Sequence, residues 1–201
     1  MSEAYKTKSE VLRLVRSNIL KGLEAFGMPI SAAPGDGGWQ CMESEQPSFR
    51  NLDKVVLINL ENSERVGWQG PQREYNDDSG KIDVFDNFIE QQNWRVKVMC
   101  RRTTEPIEDG SAVYSETDVA GMLIAWFNRL GCLEFRKNNM GNLFIKQGDL
   151  KVYKDPSDKS QWAAEFVLKL QVPKTFVTEV DTTTVEYAGM VGVEGEAQKD
   201  G

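Results

Sequence analysis

Four aspartates, Asp77, Asp78, Asp83 and Asp86, sit close together in one short segment. Carboxylate oxygens at such density are the ligands that Ca²⁺ and Mg²⁺ take. The spacing does not fit a helix–loop–helix calcium loop, because the turn glycine and the closing bidentate glutamate are misplaced. The segment therefore reads as a solvated acidic loop, with no metal expected. Arg101-Arg102 is the next candidate, an anion grip at a strand end. A strand leaving a sheet commonly carries such charges into solvent. Gly35-Asp36-Gly37-Gly38 lacks the Lys-Ser/Thr pair of a phosphate-cradling loop and reads as a turn. Cys41, Cys100 and Cys132 are odd in number and show no CxxC spacing, which predicts reduced thiols in or beside the core. With 31 acids in the chain, any chosen carboxylate pair would be arbitrary.

The composition narrows the chemistry further. There is no histidine, so the commonest general base, metal ligand and nucleophile partner is missing. A net charge of −7 argues against a nucleic-acid-binding surface, which needs Lys and Arg to displace counterions. The expectation is a protein that is not an enzyme, with no catalytic residue, cofactor or metal. No apolar run approaches the ~18–20 residues that span a bilayer. The opening Met-Ser-Glu-Ala-Tyr-Lys lacks a secretory apolar stretch, so residence inside a cell is expected. At 201 residues and 40% hydrophobic composition, the chain can bury a core.

The elements that would position these residues begin with a helix from Thr7 to Phe26. Thr7 and Glu10 have capping-box spacing, and Leu12, Val15, Ile19, Leu23 and Phe26 recur at helical intervals. Arg13, Arg16 and Lys21 lie elsewhere on it, and Gly27 and Pro29 stop it. Residues 31–51 read as a Gly- and Pro-rich loop holding Cys41. Lys54–Leu60 is an unbroken apolar run, as in a strand covered on both faces.

Glu61–Gln92 carries eight acids against Arg65, Arg73 and Lys81, broken by turn signals at Gly67, Gly70-Pro71 and Asp78-Ser79-Gly80. Its aromatics keep it from being a simple tail. The segment reads as a long β-hairpin or arm projecting from the core, with Trp68, Tyr75, Phe85 and Phe88 as subunit or partner contacts. Trp94, Val96, Val98 and Cys100 then alternate against Arg95, Lys97, Met99 and Arg101, a strand with one buried face.

A second helix, Glu116–Leu130, is opened by Ser115 and Asp118. Val119, Met122, Leu123, Trp126, Phe127 and Leu130 form its stripe, and Gly131 ends it. A turn at 137–141 precedes short strands at Leu143–Lys146 and Leu150–Tyr153, then a turn at Asp155-Pro156-Ser157. Trp162, Ala164, Phe166, Leu168, Leu170 and Val172 alternate in a long half-buried strand, which Pro173 is expected to end. Lys174–Tyr187 is β-prone without regular alternation. The fold class is α+β: a mixed, mainly antiparallel sheet packed by two helices, with a projecting hairpin arm. One domain over 1–187, its arm at 61–92, is followed by a flexible acidic tail at 188–201.

In this order of elements the chain resembles the tail terminator (neck) proteins of tailed bacteriophages, from about Val11 to Glu179. The likeness is carried by Asn93-Trp-Arg-Val-Lys-Val-Met-Cys100, by Asp118-Val-Ala-Gly-Met-Leu-Ile-Ala-Trp-Phe-Asn-Arg-Leu130 and by Ser160-Gln-Trp-Ala-Ala-Glu-Phe-Val-Leu-Lys-Leu-Gln-Val172. Members often have an arginine just after an acid in the final strand; here Phe166 follows Glu165. The resemblance implies a structural virion protein made in the host cytoplasm. Its copies would form a homo-oligomeric, hexameric ring between the tail tube protein and a head-completion or connector protein. Viral DNA would pass through the lumen without specific binding, and no catalytic residue comes with the likeness. Two other readings stay open: another neck or baseplate ring subunit, such as a tail or head completion protein, and a metal-dependent hydrolase using the acidic arm.

Overall fold

The computed structural model describes residues 6–31, 37–44, 54–101, 114–154 and 161–180. The side chains of Trp68, Gln69, Arg101 and Gln161 fall outside that description. So do the expected turn at 155–157, the Gly35-Asp36 half of the glycine turn, Arg102, and everything after Val180. The fold is α+β. A six-stranded sheet has the order β1-β2-β3-β6-β4, with β5 also pairing β6. The described residues form two compact units, one of 6–64 with 90–172 and one containing 65–89 with 173–180.

In the larger unit, α1 spans Lys8–Ala25 and is closed at its start by the reciprocal Thr7–Glu10 capping box. At its end Gly27 takes φ +73°, which lets Met28 N–H reach the Leu23 carbonyl at 3.0 Å. The buried stripe is Val11, Val15, Asn18, Ile19, Gly22 and Leu23. Phe26, expected in it, is 37% exposed, because as the cap residue it has already left the helical path. Arg13, Arg16 and Lys21 are exposed as expected.

α2 spans Glu116–Asn128 behind a second capping box, Ser115 with Asp118. Val119, Ala120, Leu123, Ile124 and Phe127 are buried, while Leu130 is exposed. Gly131 does not simply stop this helix. It opens a third helix, α3, Gly131–Arg136. A Cβ at Gly131 would sit 2.8 Å from the Trp126 ring, so the chain turns back against its own tryptophan only because no side chain stands there.

The strands are β1 (Gln40–Glu43), β2 (Lys54–Asn76), β3 (Lys81–Arg101), β4 (Gly141–Asn142), β5 (Lys151–Lys154) and β6 (Gln161–Val180). β1 corrects the expected loop. It lies parallel to β2 with Cys41 opposite Val56, and Trp39 and Cys41 are buried. The apolar run in β2 is covered on both faces. Val56 and Ile58 join the main core with α1, α2 and α3, whereas Val55 and Leu57 join a smaller cluster with Met99 and Ala163. In β3, Trp94, Val96, Val98 and Cys100 face the main core. In β6, Ala164, Phe166, Leu168, Leu170 and Val172 do so as expected, and Trp162 is half-buried. Each large side chain so covered contributes ~1.5–3 kcal/mol.

The described helices pack on one face, that of the main core, while Val55, Leu57, Met99 and Ala163 are buried in a separate cluster on the other face. Leu143–Lys146 is not a strand. Pairing to β6 stops after Gly141 and Asn142, and Phe144 stands 73% exposed. The chain there is held by Asn128, whose side chain bonds both the carbonyl and the N–H of Ile145.

In the smaller unit, the ends of β2, β3 and β6 form a three-stranded ribbon. The expected breaks at Gly67 and Gly70-Pro71 do not occur, since β2 runs on to Asn76. The hairpin turn is at 77–80. There Gly80 takes φ +66° and its N–H donates to the Asn76 carbonyl at 2.9 Å. Pro173 likewise does not end β6, which reaches Val180. The described pairing of β6 with β4 finishes at Gln171, and a proline is tolerated where a strand edge asks for no donor.

Candidate functional site

The residues singled out on the hairpin fall as follows. Trp68 is within β2. Tyr75 is 62% exposed near the turn. Phe85 and Phe88 are half-buried in β3. Phe88 stacks on Phe176 of β6, centroids 5.5 Å apart, so the ribbon's third strand comes from the segment whose sequence shows no clear alternation. The Arg65 guanidinium lies 3.9 Å from the Phe88 ring centre and pairs with Asp86 at 3.8 Å. Thr175 donates its hydroxyl proton to Asn87 at 2.7 Å, and Lys81 pairs with Glu179 at 3.3 Å.

These contacts do not amount to a core. Among the described side chains of 65–76, 81–89 and 173–180, Lys174 alone is buried. Val66, Tyr75, Ile89, Phe176 and Val177 are exposed. A three-stranded sheet is held together by a covered apolar face, and these five side chains of the ribbon are left exposed.

The acids of the hairpin are not brought together as a ligand cage. Asp83 accepts from the Asn76 amide at 2.9 Å, and Asp86 turns to Arg65. The backbone N–H groups of Asp78 and Ser79 donate to the Asn76 side chain, which organises the turn. Among the described residues no cluster of three or more His, Cys, Asp or Glu side chains could hold a metal ion. No described helix is long and apolar enough to cross a membrane.

A second constellation, on the sheet face of Val55, Leu57, Met99 and Ala163, was not legible in the sequence. Arg95 of β3 bonds Glu61 of β2 and reaches Glu165 of β6 at 3.6 Å. Tyr153 of β5 donates to Glu165 at 2.8 Å. The Glu61 hydrogen bond, with the nearby Glu165 charge, holds the Arg95 pKa above its ordinary value. Lys97 stands 5.6 Å from the Tyr153 ring centre. Leu57, Asn59, Arg95, Lys97, Tyr153 and Glu165 line an open cup of about 200 Å³. It is smaller than the ~300–1,000 Å³ of sites for drug-sized ligands and has room for one large side chain. The signal for it was faint: Arg95 and Glu165 fall on the polar faces of two alternating strands.

The three cysteines are free. Cys41, fully enclosed, has its thiol pushed up to about 12 by burial, so it holds its proton and is no nucleophile. The sequence matches no protein-family model and no curated protein.

Proposed function

We propose that the chain is a structural ring subunit of a phage neck, a tail-terminator-like protein that caps a tail tube and joins it to a head. The observation that carries this reading is the ribbon of 65–76, 81–89 and 173–180, which exposes aromatic and aliphatic side chains and, among its described side chains, buries only Lys174. Exposed apolar surface on a segment without its own core marks an assembly element. The α+β fold and the likeness of the Asn93–Cys100, Asp118–Leu130 and Ser160–Val172 segments to that family support the more specific assignment. On this reading the chain works by shape and burial and needs no catalytic group.

The test is mass photometry of the purified chain, alone and with isolated tail tubes, alongside a thermal shift with Ca²⁺ and Mg²⁺. The expected result is a closed ring, alone or on the tube end, and a melting temperature indifferent to either ion. A monomer that ignores tubes and is stabilised by a divalent ion would replace this reading with the hydrolase.

A further inference from the structure

The three most exposed large apolar side chains described in the larger unit are Phe144, Leu130 and Leu133. All three stand around the C-terminal end of α2. Leu130 and Leu133 lie three residues apart where α2 turns into α3, a spacing that puts them on one side of the helical turn. Phe144 is brought to the same end by two ties. Asn142 donates its amide to the Phe127 carbonyl at 3.1 Å, and the Asn128 side chain brackets Ile145. Arg129, Arg136 and Lys146 are exposed around that end. Of the acids nearby, Glu134 is held by Lys137 and Lys21, and Asp149 accepts from the Lys146 N–H. In a chain of net charge −7, this corner is apolar and cationic together.

We propose that this corner docks the chain's own segment 181–201, which lies beyond the described residues. Charge and composition both select it. The segment holds five acids, Asp181, Glu186, Glu194, Glu196 and Asp200, against Lys199. Between Glu186 and Glu194 stand Tyr187, Met190, Val191 and Val193. Apolar anchors flanked by carboxylates complement exposed leucines and a phenylalanine flanked by guanidinium and ammonium groups. Val185–Val193 spans ~30 Å when extended, enough to cross the end of a helix of ~10–12 Å diameter. The acidic hairpin is the rival occupant and fits less well. Its Asp83 is engaged by Asn76, Asp86 by Arg65, and Lys81 pairs with Glu179. The contact stands apart from the neck reading and does not rest on it.

The test uses the full chain with a photo-crosslinking phenylalanine in place of Ala188, irradiated and mapped by mass spectrometry. The expected adducts fall within 129–146, at yields at least tenfold above those on 65–89. Linked monomers show the segment folding back in its own copy, and linked dimers show it crossing to a neighbour; either supports the contact. Leu130→Glu with Leu133→Glu, both at exposed sites, lowers the yield at least tenfold without lowering the melting temperature. Arg129→Glu with Arg136→Glu does the same. Should the leucine pair melt early, the arginine pair alone decides. Adducts spread evenly or confined elsewhere, or a yield indifferent to the substitutions, would overturn the contact. The outcomes also separate it from the neck assignment. Rings that assemble without this link leave that assignment standing and remove the contact. A linked chain that never binds tail tubes does the reverse.

Discussion

The side chain of Asn18 ties two helices with both of its ends: its oxygen accepts from the Trp126 indole N–H at 2.8 Å and its amide donates to the Gly131 carbonyl at 2.9 Å. Gly22, one turn further along α1, lies against the same indole, where a Cβ would be 2.9 Å from it. Asn18→Ala leaves a donor and a carbonyl without partners in the interior. Each costs ~1–3 kcal/mol when it stays dry, and the half-buried indole can regain water. The expected loss is ~2–3 kcal/mol in urea unfolding at neutral pH. Gly131→Ala, forced into the Trp126 ring, should cost ~1–3 kcal/mol.

Phe166 is buried in β6, with its ring 6.3 Å from that of Phe127. Phe166→Ala should destabilise by ~3–5 kcal/mol, read as a lower urea midpoint. Trp126 is only half-buried. Trp126→Ala therefore loses less packing than Phe166→Ala and adds an orphaned Asn18 oxygen.

Cys41 sits in a strand rather than the expected loop, and its replacement is accordingly not neutral. Cys41→Ser puts a hydroxyl into an apolar enclosure at ~1–3 kcal/mol. In the native protein a thiol reagent should modify Cys132, which is partly exposed, and spare Cys41 and Cys100, both buried. Rapid modification of all three would contradict the burial described.

Acid should loosen the α1–α3 contact. Glu134 bonds Lys137 at 2.7 Å and also Lys21 of α1. Lys137 first, then Lys21, hold its pKa down to about 2 from an ordinary 4.5. A carboxylate depressed in the folded state stabilises above the unfolded value, and that stabilisation fades as pH falls from about 4.5 toward about 2. The capping acids Glu10 and Asp118 are lowered too, by bonds from Thr7 and Ser115. Glu134→Gln should flatten the acid limb of a melting-temperature-versus-pH curve by lowering its neutral plateau, leaving the acid end nearly unchanged. An unaltered acid limb would show that Glu134 has no such role.

The elements legible in the sequence are those whose signal is local. Two capping boxes mark α1 and α2, and strict alternation marks β6 and the second half of β3. What was not legible depends on neighbours far along the chain. Gln40–Glu43 has no alternation, and becomes a strand because β2 offers it a parallel edge. β6 passes Pro173 because nothing described on that side requires its N–H. Glu61, Arg95, Tyr153 and Glu165 meet across four strands, so no short motif contains them. The hairpin, by contrast, was visible from Asp78-Ser79-Gly80 and from the aromatics on either side. Its third strand was hidden in an unpatterned segment, and Phe176 with it.

The hairpin also gives the sharpest choice between an assembly element and a metal site. If it assembles, its aromatics matter more than its acids. Tyr75 is exposed, and truncating such an anchor at a buried interface costs ~2 kcal/mol or more, about thirtyfold in affinity. Tyr75→Ala and Trp68→Ala should therefore lower ring yield in mass photometry. Asp83 is occupied within the hairpin by Asn76, and Asp78 lies in the exposed turn. Asp83→Asn and Asp78→Asn should each leave rings largely intact, since a single exposed charge contributes little. A metal site reverses both expectations, because carboxylate oxygens carry the ion and an aromatic ring does not. Loss of function with either aspartate substitution, together with tolerance of Tyr75→Ala and Trp68→Ala, would sink the assembly reading and leave the metal-dependent hydrolase.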